Sequence, residues 1–89
     1  MVEELDQEIV IHNDEYYYKI VRENIRYFRL KKNLTQQQLA DRIGMSREYV
    51  CDIENESRNK HPTIAVLGRI ADALPTNIVN LFIIRNNDN

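Results

Sequence analysis

Four consecutive residues, Ser46, Arg47, Glu48 and Tyr49, carry side chains suited to reading the edges of base pairs. A guanidinium donates two parallel hydrogen bonds to O6 and N7 of guanine, a carboxylate accepts from the N4 amino group of cytosine, and a phenol packs on a thymine methyl or binds a phosphate. That chemistry needs a short helix with a free N-terminal end and one buried face. Ser46 is placed to cap such a helix, with Val50 and Ile53 turned inward and Arg47, Glu48, Tyr49 and Asp52 left on its outer surface. Asp52, one turn along, either orients Arg47 or Glu48 or belongs to a solvated acidic face.

The preceding residues supply the element that holds this helix. In QQQLADRIGMSREYVCDIEN, residues 36–55, Ala40 sits where two helices must approach closely, and Leu39, Ile43 and Met45 join Val50 and Ile53 in the buried faces. Gly44 falls where the chain must turn through a conformation that penalises a side chain. Thr35 and Gln38 have the spacing of a capping box, each side chain reaching the other's amide, so the first helix of the pair starts at Gln36. Gly44 stops it.

From Ile25 to Phe82 the chain resembles the Cro/C1-type (XRE-like) helix-turn-helix regulators, with IRYFRLKKNLTQQQLA leading in, GMSREYVCDIENESRN in the middle, and PTIAVLGRIADAL and TNIVNLF closing the domain. Within that family SREYVCDIENESRN is most similar to the controller proteins of restriction-modification systems. The resemblance implies an all-α, compact five-helix bundle of the lambda-repressor-like type that binds double-stranded DNA. It places Gln36, with Gln37 beside it, at a helix end that meets a phosphate, Gln37 having a purely solvated role as its alternative. It also places Arg58, Asn59 and Lys60 on the sugar-phosphate backbone and makes Arg29 and Glu54 a partly buried structural ion pair.

The remaining elements follow from periodicity. Tyr17, Ile20, Val21, Ile25 and Phe28 recur at helical spacing from about Tyr16 and predict a first helix ending near Lys32-Asn33. Pro62-Thr63 begins a fourth helix with Ile64, Leu67, Ile70, Ala71 and Leu74 inward, ended by Pro75. Thr76 then caps an apolar fifth helix from Asn77 to about Ile84. The expected organisation is an acidic arm over 1–15, the helix-turn-helix domain over 16–84 and a polar tail over 85–89. The fifth helix carries more apolar surface than one face of a small bundle can bury, so Ile78, Val79, Phe82 and Ile83 are expected to form a homodimer interface. Ile9-Val10-Ile11 is either a strand or an anchor for the arm, and wraps the partner in the dimer reading.

A net charge of −2 is misleading for a nucleic-acid binder. Glu3, Glu4, Asp6, Glu8, Asp14 and Glu15 crowd the arm, while Lys19, Arg22, Arg26, Arg29, Lys31, Lys32, Arg42 and Arg47 outnumber Glu23 and Asp41 over residues 16–47. The lone Cys51, with only His12 and His61, makes neither an internal disulfide nor a zinc site, and no cofactor is expected. Cys51 reads as a small side chain near DNA. No apolar run is long enough to span a membrane and the N-terminus is acidic, so a cytoplasmic protein is expected. Nothing has the pattern of a nucleophile and base, so an enzyme is not expected. The competing function is an antitoxin or protein-binding module that uses the same fold, with its acidic arm, to hold a protein partner.

Overall fold

The computed structural model describes residues 8–85, which are all-helical with no strand among them. Four α-helices follow one another: α1 (Asp14–Lys31), α2 (Gln36–Ile43), α3 (Arg47–Glu54) and α4 (Ile64–Ala73). Two 3-10 turns, Glu56–Arg58 and Ile78–Phe82, complete the order. Helix α1 starts earlier than periodicity predicts, because the Asn13 side chain accepts from the Tyr16 amide, and it takes Asp14 and Glu15 from the arm as its acidic first turn. Residues 9–11 form no strand and stand exposed.

Around the turn between α2 and α3 the backbone obeys the chain's local instructions. Both halves of the Thr35–Gln38 capping box form, and Gly44 adopts a left-handed φ of 72°. The Met45 amide reaches back 3.0 Å to the Ala40 carbonyl, which also accepts from the Gly44 amide, so the end of α2 is closed by the turn itself. A Cβ at Gly44 would meet nothing within 4 Å, so the glycine answers to backbone conformation alone.

The core joins Val21 and Ile25 of α1 to Leu39, Ala40 and Ile43 of α2, Val50 and Ile53 of α3, and Leu67, Ile70, Ala71 and Leu74 of α4. Ile64 does not belong to it: at the first residue of α4 it is 69% exposed. Helices α2 and α4 also cap each other. Arg42 donates to the Ala73 carbonyl at the end of α4, and Arg69 donates to the Ile43 carbonyl at the end of α2, at 2.8 and 3.2 Å.

The expected fifth α-helix is not formed; five residues of 3-10 turn stand in its place. Asn77, not Thr76, is its cap, while the Thr76 amide closes the preceding turn on Ala71. Buried Asn24 of α1 explains why the segment does not continue as α-helix. Its side-chain amide donates to the Ile83 carbonyl at 2.7 Å and the Leu81 carbonyl at 3.0 Å, the acceptors that further α-helical turns would use. Arg85 completes the clamp, its Nε donating to Asn24 Oδ1 at 2.6 Å while its guanidinium lies 3.7 Å from the Tyr27 ring centre.

Asn24→Ala leaves two carbonyls and Arg85 without their partner, and the chain should lose about 1–3 kcal/mol of unfolding free energy. Urea titration followed by circular dichroism checks this. An unchanged midpoint would mean that the C-terminal segment is held by its apolar contacts alone.

Candidate nucleic-acid interface

The Ser46 hydroxyl accepts from the Tyr49 amide at 3.0 Å, so α3 opens with a satisfied cap directly before Arg47. Val50 and Ile53 are buried beneath, and Arg47 and Glu48 project outward, exposed and free of ion pairs among the described residues. Their placement follows from the helical period: with positions 50 and 53 facing α2, positions 47 and 48 of the first turn face away.

Tyr49 differs from the expected open contact. It is half-buried against the core, and burial pushes its phenol up from the usual tyrosine value, partly opposed by the nearby Arg69 charge. The Lys60 ammonium lies 5.4 Å from its ring centre, which brings the loop after α3 back beside the start of the helix. Asp52 likewise orients neither Arg47 nor Glu48. Its carboxylate meets Arg58 Nε at 3.3 Å, one turn and a loop away. Asn59 next to it takes a left-handed φ of 52°, a conformation asparagine tolerates better than most residues, and leaves Arg58, Asn59 and Lys60 exposed in series.

The two glutamines part company. Gln37 donates to Asp41 at 2.8 Å on the solvated face of α2, the geometry of an ordinary i,i+4 helix pair. Gln36 donates its side-chain amide to Glu54 Oε1 at 3.1 Å, leaving the backbone amides at the start of α2 to face an anion. Glu54 is the hub: Arg29 Nε reaches its Oε2 at 2.7 Å, Arg29 Nη2 reaches Oε1 at 2.9 Å, and Arg29 Nη1 donates to the Leu34 carbonyl at 2.7 Å. The two side chains are 7% and 2% exposed. One buried pair thus fastens α1, the entry to α2 and the end of α3.

Sequence reasoning passed over two features. Arg26, exposed on α1, lines the same depression as Gln36, Cys51, Glu54 and Asn55, adding a cation beside the start of α2. Its spacing of three before Arg29, nearly the same helix face, was the available signal. The other is His61, which stacks on Tyr18 and lies 3.2 Å from Glu15, while Glu15 also pairs with buried Arg22. That cluster ties the loop carrying Lys60 to the start of α1. The His61 contact, then Arg22, holds the Glu15 carboxyl below its usual value against the desolvation that raises it. No group of residues able to hold a metal exists among those described, and none of their helices is long and apolar enough to cross a membrane.

A capped eight-residue helix packed on another across a left-handed glycine, with basic and amide groups at its exposed end, defines a helix-turn-helix domain. Residues 25–81 match the helix-turn-helix family, more than half of the chain. Control protein C.SmaI of Serratia marcescens is 38% identical over 63 residues, 71% of this chain and 73% of that protein. The HTH-type transcriptional regulator y4dJ of Sinorhizobium fredii is 36% identical over 71% of this chain and 79% of its own length. The crystal structure of a hypothetical transcription factor, NHTF from Neisseria, superposes with a TM-score of 0.69 over 86% of this chain and 87% of that one, at 24% identity. The chain belongs to the XRE-like helix-turn-helix family of DNA-binding transcriptional regulators, which are not enzymes.

Two outcomes follow from these contacts. Glu54→Ala strands a buried guanidinium and should cost about 3–5 kcal/mol; thermal melting reads this, and a destabilisation below about 1 kcal/mol would contradict the hub. Because Glu15 has a lowered pKa when folded, its stabilisation is present above the unfolded value and disappears as pH falls through the folded one. Glu15→Gln should therefore flatten the acid limb of melting temperature against pH. An identical acid limb in both proteins would contradict the assignment.

Proposed function

We propose that the protein acts as a homodimer on a short palindromic operator, each subunit laying α3 in a major groove about one helical turn, roughly 34 Å, from its partner's. The observation that carries this reading is the exposed Arg47–Glu48 step, free of ion pairs among the described residues, on a capped helix whose opposite face is buried. Arg47 donates to guanine and Glu48 accepts from cytosine, with Ser46 at the helix entry and Tyr49 as a neutral donor or apolar wall beside them. The backbone amide of Gln36, Arg26, and the run Arg58, Asn59 and Lys60 bind phosphates and set register. Gln37 and Asp52 are support, since both are engaged within the chain.

The dimer is closed by the C-terminal turn. Val79, Phe82 and Ile83 are each at least 42% exposed, whereas Ile78 packs partly on the core and braces them. The regulator works in the cytoplasm with the DNA it controls, and its resemblance to controller proteins, with C.SmaI among its relatives, supports a controller role.

Arg47→Ala should weaken binding to a selected operator by about 1–3 kcal/mol and relax preference at one base position per half-site. Lys60→Ala should instead weaken all duplexes about equally and make log K against log salt shallower by about one unit for each phosphate left without its cation. Fluorescence anisotropy on operator and scrambled duplexes over a salt series separates the two. Unchanged affinity and base preference in Arg47→Ala would rule out the recognition role of α3.

A further inference from the structure

Beside the C-terminal turn an open apolar groove of about 280 Å³ runs between the N-terminal halves of α1 and α4, with Tyr17, Tyr18, Val21, Ile64, Leu67 and Phe82 among its walls. Phe82 belongs both to this groove and to the surface assigned to the dimer. Ile9, Val10 and Ile11 stand 87%, 64% and 87% exposed in the same chain, and none of them lines the groove. Their path into α1 is fixed by the Asn13 cap and by His12, whose ring stacks on Tyr16 at 3.7 Å.

We propose that the groove of each subunit receives Ile9–Ile11 of a second copy, so that the dimer is locked by reciprocal exchange of arms; this rests on the homodimer reading above. Area favours it. Tyr17, Ile64, Val79, Phe82, Ile83 and Ile84 are 42–69% exposed. Together they offer on the order of 600 Å², short of the ~800 Å² that a standard interface takes from each partner. Ile9 and Ile11, nearly bare, and the exposed Val10 between them make up the difference, and two-fold symmetry uses arm and groove twice. The operator-facing side of α3 takes no part in the exchange, so the proposal concerns assembly and not base reading.

Single-cysteine chains test it. In a Cys51→Ser background, Val10→Cys and Ile64→Cys proteins are mixed and treated with a short bis-maleimide. The exchange predicts a two-chain product that needs both variants, with little from either alone, and chiefly two-chain products from the chain carrying both cysteines. A cross-link confined within single chains would place the arm in its own groove and overturn the proposal. As a second readout, changing Ile9, Val10 and Ile11 together to Ser removes no buried contact, and sedimentation should show self-association weakened by ~10-fold or more. A parent chain that dimerises no better than this variant would also overturn it. A parent that is monomeric throughout would instead remove the homodimer reading on which it stands.

Discussion

Burying a carboxylate is unfavourable by several kcal/mol unless its oxygens meet donors in good geometry, and Glu54 meets that condition only in one arrangement of the chain. Arg29 must present its fork from α1 while donating a third hydrogen bond to Leu34, and Gln36 must begin α2 within reach. The end of α3 is thereby placed relative to both. An apolar contact in this position would hold the helices together with less angular precision, because dispersion has no preferred direction. The ion pair is a registration device: it fixes where the capped start of α3, two turns upstream of Glu54, points into solvent.

Charge at the surface then acts on a prepared geometry. Arg47 and Glu48 need no internal partner because the helix period exposes them, whereas Arg58 and Lys60 are steered by Asp52 and the Tyr49 ring. The loop that carries them is held from the other side by the stack of His61 on Tyr18 and its contact with Glu15. Distribution outweighs the net charge of −2, since phosphates within a Debye length respond to the nearest cations.

Local instructions were legible in the sequence wherever one or two residues decide the backbone. The Thr35–Gln38 box and the Ser46 cap each rest on a side chain within three residues of its target, and the Gly44 turn rests on the absence of one. The C-terminal segment was not legible in this way. Its apolar run has α-helical composition, but the hydrogen bonds that stop it come from Asn24, 57 residues away from Leu81, a contact that no local pattern announces. The same holds for Asp52, which local spacing pairs with Arg47 or Glu48 and the loop geometry pairs with Arg58. Tyr49 shows the limit of reading a helix face by period alone: it lies at the edge of the buried arc, so packing against the core claims it in part.

Chemical-shift mapping of the labelled protein on titration with its selected operator duplex locates the DNA-facing surface, because every backbone amide reports at once. If α3 reads the groove, the largest changes fall at the amides of Gln36, Ser46 to Tyr49 and Arg58 to Lys60, with the middle of α4 unmoved. Changes concentrated on α4 or the C-terminal turn, with α3 silent, would contradict it.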